Sequence, residues 1–553
     1  MLRAIGTWRS GAAVVALLAG LGVARAEDAG LFAVAEAGAV LDIRGSSMAI
    51  DDSPTGATAP APTPIVEPPL PAETQTSAPE VSPSSEFPAI PAAVAAPTTA
   101  DKLPAVLDAL VARPGALPSL GAGDWRAARE AVRNFYSDRQ FIPAWTNAAG
   151  FSDAGRAALA RLAKADEDGL NLKVFALPKA DLAESDPDKL AVIEATLASA
   201  IAVYALEASG ARIAPATISP EVTAKAEIVD PAKALAAIAA ALDADAAMQA
   251  FNPPQEGYVR LRDKLSQLSK PVVAPANMQI PPVGRKLVAP GALSDAHAIV
   301  FRPALAPSKA DPEGPRRQAI LANMEMWRWE PREMGRDRIE VNVPDYSLRL
   351  IKDGAEADST RVIVGKPDTP TPIFSNSVKY LLVNPIWRVP QSIMKKEMMP
   401  HLADDPDYFE HIGYNVRKIG GQTFVEQPPG ERNALGRILF MFPNEHDVYL
   451  HDTPARGLFS AGRRAFSHGC IRVEQPLRLA MEVMGGPAAG WSQQKVQGLL
   501  GPNERWVYMP TPLPIHIEYF TEFVSDNGVL HEKEDIYGLT SKVAASLSRL
   551  SQD

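Results

Sequence analysis

The segment Tyr449–Val473, YLHDTPARGLFSAGRRAFSHGCIRV, contains the only cysteine of the chain. Cys470 ends the tetrapeptide SHGC, and His451 lies nineteen positions upstream at the end of a short apolar run. A thiol with an ordinary pKa of about 8.5 is only a few per cent ionised at neutral pH, so it needs a base to become a useful nucleophile. The segment therefore predicts a Cys–His pair, with the thiol on a turn whose backbone N–H groups can hold an oxyanion.

The N-terminus predicts an export signal. Arg3 and Arg9 supply positive charge, Ala12–Val23 is apolar, and Ala24-Arg25-Ala26 is a small-residue cleavage site. The apolar core is short for a membrane span, and an uncleaved anchor is the alternative. We therefore expect residues 1–26 to be a signal peptide and the protein to be periplasmic.

The expected export and the composition limit the state of the cysteine and the kinds of partner. A lone cysteine cannot form an internal disulfide in an oxidising compartment, so it is either a free thiol kept for its reactivity or a buried inert residue. The net charge is −10, and the chain has no basic run. Both features argue against a nucleic-acid partner.

Composition also divides the chain. Residues 27–100 are rich in Pro, Ala, Thr and Ser, and they predict a disordered tether. The remaining predicted units are a helical domain at 101–270, a proline-rich linker at 271–318, a β-rich domain at 319–540 and a tail at 541–553 with a short surface helix. The expected fold class is α+β.

Hydrophobic periodicity places the elements within these units. Helices are predicted at 124–136 with Asp124 as cap, 153–165, 189–209, 232–250, 257–268, 319–329 and 475–484. Strands are predicted at 338–343, 347–351, 361–364, 378–383, 447–450 and 514–524. Residues 390–430 interrupt this pattern, and a long excursion inside a compact β domain is usually functional. His516, on the last strand, is interpreted as structural.

The motif around Cys470 resembles a known signature. His451, fifteen further residues, SHGC and then Arg472 are similar to the catalytic motif of the L,D-transpeptidases, which have a YkuD-type domain. Four flanking stretches resemble the large periplasmic YcbB-like branch: NMEMWRWEP (323–331), RIEVNVPDYSL (338–348), VIVGKPDTPTPIF (362–374) and NPIWRVPQSI (384–393). The branch commonly carries a peptidoglycan-binding module where this chain has only the linker 271–318, so we expect that module to be absent or vestigial.

The resemblance implies a helical scaffold domain, a β-rich catalytic domain and a lid at about 390–430. Cys470 is then the nucleophile and His451 the proton donor and acceptor, with the two poised as a thiolate–imidazolium pair. The backbone of Asp452 would orient His451, and the backbone N–H groups of Gly469, His468 and Cys470 would hold the oxyanion. The expected substrate-binding residues are Arg472, Ser467, Trp387 and Tyr449.

Two of these residues have open alternatives, since Arg472 could hold a substrate carboxylate or brace the turn, and Trp387 could line the groove or be a plain core aromatic. His468 is a rival base, but it lies two residues from Cys470 on a tight turn. The family assigns the base to the earlier histidine.

The resemblance also implies a reaction. Cys470 would attack the carbonyl after the third residue of a peptidoglycan tetrapeptide stem and release D-alanine. A diaminopimelate amine on a neighbouring stem would then resolve the thioester and form a 3→3 cross-link. No metal or organic cofactor is implied. Carbapenems are expected to acylate the same thiol, and other cell-wall synthesis proteins are further candidate partners.

Three competing functions stay open. The first is a hydrolase of the same fold, either an L,D-carboxypeptidase or an amidase that releases a wall protein. The second is a zinc site built from His446, His451, His468 and Cys470, although the chain has no HExxH or CxxC pattern. The third is a non-catalytic wall-binding scaffold.

Overall fold

The structure is a computed structural model, and it describes residues 97–117, 119–120, 122–179, 183–269, 314–419 and 422–550. The predicted signal peptide, the tether and most of the proline-rich linker lie outside the described residues. The described part combines a helical domain with a β-rich domain, which confirms the predicted α+β class. The domain boundaries stay predictions.

The helical domain lies between residues 99 and 269. Its helices are α1 (Thr99–Ala112), α2 (Ala122–Asp138), α3 (Asp153–Leu162), α4 (Pro187–Ala208), α5 (Pro231–Ala240), α6 (Ala244–Gln249) and α7 (Glu256–Ser269), and a small hairpin joins β1 (Thr146–Asn147) to β2 (Gly150–Phe151).

The sequence-based helix boundaries need two corrections. The single helix predicted at 232–250 is two helices, because Ala241 takes an extended conformation and the Asp243 side chain caps α6 by accepting from the Ala246 N–H. Asp124 lies in the first turn of α2 rather than at its cap.

Helix α4 forms the centre of this domain. By length and composition it is apolar enough to cross a membrane, but 89% of its most apolar window is buried inside the protein. One of its two buried acids, Glu194, accepts hydrogen bonds from the Tyr136 hydroxyl at 2.7 Å and the Thr146 hydroxyl at 2.8 Å. A buried carboxylate is tolerable only with such donors, so α4 is the core helix of a folded domain.

The β-rich domain begins with helix α8 (Gly314–Trp327). Its strands are β3 (Arg338–Asn342), β4 (Ser347–Lys352), β5 (Ala355–Gly365), β6 (Phe374–Val383), β10 (Ile438–Met441), β11 (Leu450–His451), β12 (Ala465–Ser467), β13 (Ile471–Val473), β14 (Arg505–Glu518), β15 (Glu522–Val524) and β16 (Leu530–Glu532). Helices α11 (Pro476–Val483), α12 (Gln493–Gln497) and α13 (Leu539–Leu550) complete it.

The strands pair in a ring. The order is β12-β5-β13-β11-β10-β6-β14-β3-β4, and an additional pairing of β4 with β5 closes the sheet on itself. Side chains alternate across a strand, so each strand has one inner and one outer face. Leu450, Ile471, Phe440 and Leu381 are 0–1% exposed and belong to the inner core. Their sequence neighbours therefore point outward.

The excursion predicted at 390–430 is a small separate unit, hereafter the lid. Strands β7 (Trp387–Arg388), β8 (Asn415–Ile419) and β9 (Gln422–Gln427) pair in the order β7-β9-β8. The predicted helix at 392–399 is α9 (Gln391–Ile393), which continues as a π-helical turn (Met394–Met398) and a 3₁₀ turn (Met399–Ala403), and α10 (Tyr408–His411) follows. The lid has its own apolar core of Val389, Met394, Met398, Phe409 and Val425.

Two further expectations change in detail. The strand predicted at 447–450 is displaced, because Asp447 has a positive φ of 51° and ends a turn, so β11 begins at Leu450 and includes His451. The tail helix begins at Leu539 and packs on α8 with Val543 fully buried, so it contributes to the core as well as to the surface.

Buried charges connect the helical domain to the β-rich domain. Glu325 of α8 pairs with Arg212, which follows α4, and with Arg328 at 3.2 Å. All three side chains are 0–6% exposed. Arg328 also donates to the Asp168 carbonyl at 2.6 Å, so one network spans both domains.

We expect Glu325→Gln to lower the free energy of unfolding by about 3 kcal/mol or more, because the two buried guanidinium groups lose a shared counter-ion. Urea denaturation measures the change. Glu130→Gln is the control, since it removes an exposed Arg126–Glu130 pair and should cost less than about 1 kcal/mol. Equal effects of the two substitutions would contradict the structural role of the network.

Candidate active site

The pairing of β11 with β13 brings the predicted site residues together. These strands are parallel, with Leu450 opposite Ile471 and His451 opposite Arg472. Since Leu450 and Ile471 point inward, His451 and Arg472 point to the outer face. Tyr449 immediately precedes Leu450, and Cys470 immediately precedes Ile471. By the same alternation, Tyr449 and Cys470 lie on the outer face as well.

Cys470 is a free thiol that is half-buried on this face. Its Sγ lies 3.9 Å from the Asp447 carbonyl oxygen and contacts the side chain of Tyr449. Burial raises the pKa of the Cys470 thiol to about 11, and hydrogen bonding to Tyr449 and the charge of Arg472 oppose that rise. The resting side chain is therefore a neutral thiol.

His451 is 4% exposed. Burial and, next, the nearby Arg472 lower the pKa of its imidazole to about 3, while hydrogen bonding to the backbone of Asp452 and Leu435 opposes this. Its Nδ1 is buried and has no hydrogen-bond partner among the described residues. Asp452 is also the residue whose backbone was expected to orient His451, and its backbone contacts the imidazole.

The electrostatics correct one expectation. The predicted thiolate–imidazolium pair is not the resting state, because the pKa values of Cys470 and His451 both shift toward the neutral forms. Within the part of the chain that the structure describes, no hydrogen bond joins Cys470 to His451, although they lie on adjacent strands. The arrangement suits general-base chemistry, in which the proton moves as the sulfur attacks.

Arg472 lies beside both groups. It forms no salt bridge with any described carboxylate, and its Nε is buried without a partner. Burial lowers the pKa of its guanidinium, and the nearby Cys470 opposes this. A half-buried cation without a counter-ion can bind a carboxylate. Of the two roles left open for Arg472, this geometry favours carboxylate binding over bracing of the turn.

The SHGC turn is held by its own side chains. The Ser467 hydroxyl donates to the Cys470 carbonyl at 2.5 Å and accepts from the Gly469 N–H at 3.2 Å. Ser467 is 2% exposed, so its side chain holds the turn from inside, and the substrate role expected for it stays a prediction. The Gly469 N–H is also engaged, and the described residues offer no partner to the N–H groups of His468 and Cys470. Those two remain the candidate oxyanion donors.

A threonine that sequence reasoning missed braces the same turn. The fully buried Thr371 donates from its hydroxyl to the Gly469 carbonyl at 2.8 Å and accepts from the Gly365 N–H at 2.9 Å. The Tyr537 hydroxyl in turn accepts from the Thr371 N–H at 3.1 Å and donates to the Gly365 carbonyl at 2.7 Å. Thr371 lies in a stretch quoted above for its family resemblance, but nothing in its local pattern indicates this contact.

Asp452 fixes the segment that follows His451. Its carboxylate accepts from the Arg437 N–H at 2.8 Å and from Arg456 at 2.7 Å. Gly436, with a positive φ of 64°, packs so closely that a Cβ there would lie 2.4 Å from the Asp452 side chain. The side chain of Asp452 thus positions β11, in addition to the backbone role that was predicted.

His468 points toward the lid. Its Nε2 lies 2.7 Å from Glu397 Oε1 in the π-helical turn. The contact holds the His468 ring on the lid side of the turn, and among the described residues no hydrogen bond joins His468 to Cys470. The contact joins the lid directly to the SHGC turn, a connection that sequence reasoning missed.

Trp387 and Tyr449 lie where the lid meets the barrel. Both pack against an apolar cluster on the outer face, formed by Leu382, Leu435 and Leu439. Trp387 also packs against the lid core and meets Tyr414 edge-on at 6.2 Å between ring centroids. Trp387 is thus part of a core between lid and barrel, the plainer of its two interpretations. Tyr449 contacts the thiol, and its ring lies 5.7 Å from the His451 ring.

The other histidines have their own partners. His446 Nε2 lies 2.9 Å from the Thr223 hydroxyl, and the buried His516 lies 2.8 Å from the Ser375 hydroxyl and 2.9 Å from the Met334 carbonyl. Among the described residues, no group of three or more His, Cys, Asp or Glu side chains is placed to hold a metal ion. The geometry therefore does not assemble the alternative zinc site.

Comparison with known protein families finds a match for each of the two domains. Residues 336–490 match the family model described as the L,D-transpeptidase catalytic domain, YkuD, and residues 130–265 match the model described as a scaffold domain. Residues 336–490 form an L,D-transpeptidase catalytic domain. The predicted resemblance is thereby confirmed at the level of the domain, while membership of the YcbB-like branch stays a prediction.

The relatives cover only part of this chain. A Haemophilus influenzae protein named "Putative L,D-transpeptidase" is 30% identical over 224 residues, which is 37% of this chain and 45% of that protein. The chain thus matches less than half of that relative's length. The catalytic domain of the Enterococcus faecium L,D-transpeptidase is 17% identical, with 34% and 98% of the two chains covered and a TM-score of 0.17. L,D-transpeptidase 3 from Mycobacterium tuberculosis is 15% identical, with 33% and 61% covered and a TM-score of 0.19.

We expect Thr371→Val to slow acylation of the L,D-transpeptidase domain by about tenfold or more, because the Gly469 carbonyl and Gly365 N–H lose a buried partner and the turn shifts. Thr371→Ser retains the hydroxyl and should keep most of the rate. The measurement is the single-turnover rate of Cys470 acylation by a carbapenem, with melting temperature recorded for each variant. A normal rate in a well-folded Thr371→Val protein would refute the bracing role.

The pKa of about 11 for Cys470 predicts a pH profile. Alkylation by iodoacetamide requires the thiolate, so its rate should rise about tenfold per pH unit from pH 7 to 10. Labelling is specific, since the chain has one cysteine, and Cys470→Ser is the blank. Arg472→Gln should lower the rate at each pH, because the guanidinium favours the thiolate. A plateau that begins near neutral pH would instead indicate a preformed thiolate–imidazolium pair.

Proposed function

We propose that this protein is a peptidoglycan L,D-transpeptidase that forms 3→3 cross-links through a thioester on Cys470. The observation that carries the proposal is the outer-face group of Cys470, His451 and Arg472 within the L,D-transpeptidase domain. A nucleophile, a neutral base and an unpaired cation on one face supply the parts that acyl transfer from a carboxylated peptide requires.

The first half-reaction forms the acyl-enzyme. Cys470 Sγ attacks the carbonyl after the third stem residue while the unpartnered Nδ1 of His451 takes the thiol proton. The tetrahedral oxyanion is held by the N–H groups of Cys470 and His468, and the Tyr449 hydroxyl beside the sulfur is a third donor. The imidazolium then gives its proton to the leaving D-alanine amine, the C–N bond breaks, and a thioester remains.

The second half-reaction transfers the acyl group. The side-chain amine of a diaminopimelate residue attacks the thioester, His451 accepts the amine proton, and the thiol is released with that proton. Arg472 binds a substrate carboxylate through its guanidinium. The protonation states balance over the cycle, so His451 begins and ends neutral, in agreement with its lowered pKa.

The hydrolase alternative differs only in the acceptor. Water in place of the amine would give a tripeptide product, and the choice depends on what the lid admits. The Glu397–His468 contact supports a lid that lies close to the SHGC turn and limits the entry of water. This favours transfer as the main reaction.

The compartment and the inhibitors follow as parts of the same proposal. The substrate lies in the cell wall, so the protein would act in the periplasm, where other cell-wall synthesis proteins are further candidate partners. Solved relatives include an E. faecium catalytic domain acylated by ertapenem. We propose that carbapenems acylate Cys470 in the same way, because the attack uses the same sulfur and the same oxyanion donors.

Incubation with tetrapeptide muropeptides tests the reaction. The expected products are cross-linked dimers and free D-alanine, whereas tripeptide alone would identify a hydrolase. Cys470→Ala should abolish both products, and His451→Gln should lower the rate by about a thousandfold. A wall-binding scaffold would instead keep its function in Cys470→Ala.

Mass spectrometry after exposure to meropenem provides an independent check of the nucleophile. We expect one covalent adduct on the peptide that contains Cys470 and none in Cys470→Ala. Absence of an adduct in the well-folded natural protein would contradict the proposed acyl chemistry.

A further inference from the structure

The outer face that carries the site continues across three more strands. Register pairs place Met441 beside Tyr380 and Tyr380 beside Tyr508 in one row. A second row runs from His451 to Leu439, Leu382 and Trp506. Residues that pair across neighbouring strands share a face of the sheet. Continued toward β13, the first row reaches Tyr449 and Cys470. The second row reaches Arg472, which pairs with His451.

The far end of these rows is aromatic and open to solvent. Tyr380, Trp506 and Tyr508, hereafter the platform, have ring centroids 4.8 Å and 5.4 Å apart around Tyr380. Trp506 is 49% exposed and Tyr508 is 68% exposed. Exposed adjacent aromatic side chains on a folded surface mark a binding surface rather than a core.

The lid covers the middle of the rows but leaves the platform open. Trp387 packs on Leu382 and Leu439, which are only 7% and 3% exposed. Trp506 lies directly beside Leu382 in the register, yet half of its surface is exposed. A ligand that runs from Cys470 along the first row, past the half-buried Tyr449 and Met441, would therefore reach the platform at Tyr380.

We propose that the platform binds sugar rings of the wall glycan strand whose stem peptide occupies the site at Cys470. This inference rests on the proposed function, since it assigns the rest of the same substrate. A pyranose ring has an apolar C–H face and a polar rim, and it matches an aromatic ring that has an apolar face and a hydroxyl or N–H at its edge.

Distance supports this occupant. Three strand-to-strand steps separate β13 from β6 in the sheet order, which is about 14 Å at the usual spacing. Three extended stem residues between the scissile carbonyl and the sugar span about 10 Å, and the ether-linked acid that joins stem to sugar adds further length. The first sugar would thus lie over Tyr380, and its neighbour over Trp506 or Tyr508.

The direct test uses peptide-free sugar and an inactive protein. N-acetylglucosamine hexamer is titrated into Cys470→Ala protein by calorimetry, so that the outcome does not depend on catalysis. We expect saturable binding that weakens about tenfold when Trp506→Ala or Tyr508→Ala is added. Tyr508→Phe retains the ring and should keep the affinity. Val529→Ala, which removes an exposed apolar side chain on another turn, is the matched surface control.

Two results would overturn the proposal: no saturable binding of the hexamer, or equal binding by the platform variants and the parent. Loss of a dimer in the platform variants, measured by sedimentation while sugar binding stays unchanged, would instead assign the face to self-association. The substituted side chains are exposed, so melting temperatures should stay within a few degrees of the parent.

A second arm separates this proposal from the proposed function. With active enzyme, kcat/KM is measured for a disaccharide-tetrapeptide and for the same tetrapeptide without sugar. Trp506→Ala should lower the ratio of the two values about tenfold. An unchanged ratio refutes the platform even if cross-linking occurs, whereas hexamer binding without any cross-linking would refute only the proposed function.

Discussion

The parallel pairing of β11 with β13 is the constraint on which the candidate site depends. It turns Leu450 and Ile471 into the barrel core, and by alternation it turns Tyr449, His451, Cys470 and Arg472 outward. A register slip of one residue would bury the outer face that carries the candidate site and expose the core. The apolar interior thus specifies the site, because the free energy of burying these strands is what holds their outward residues in place.

The surroundings of that face explain why Cys470 and His451 are both neutral at rest. Burial and the Arg472 charge keep His451 neutral, and burial keeps Cys470 protonated. In the proposed reaction the ion pair would therefore form only during attack, when the oxyanion donors and the substrate compensate it. A resting thiol of this kind is less prone to oxidation, since the thiolate is the oxidisable form.

Contacts from distant segments make the arrangement rigid. Thr371 and Tyr537 hold the SHGC turn from one side, and Glu397 of the lid reaches it from the other. The helical domain is joined to the entry helix through buried Glu325, Arg212 and Arg328. Precision of the site is therefore a property of several segments far apart in sequence, and the SHGC motif itself supplies only the internal Ser467 bonds.

The sequence by itself determined the α+β class, the order of the helical and β-rich units, the nucleophile candidate and the family of the domain, because periodicity, composition and a spaced His–SHGC motif are local signals. It also predicted that His451, on a separate strand, is the partner of Cys470. Only the tertiary structure decided that Ser467 faces inward, that His468 contacts the lid and that Thr371 braces the turn. It also decided that Tyr380, Trp506 and Tyr508 share the outer face with the candidate site. These contacts join residues about 70 to more than 90 positions apart or depend on strand register, and the free energy that selects them comes from packing of the whole barrel, which no local pattern encodes.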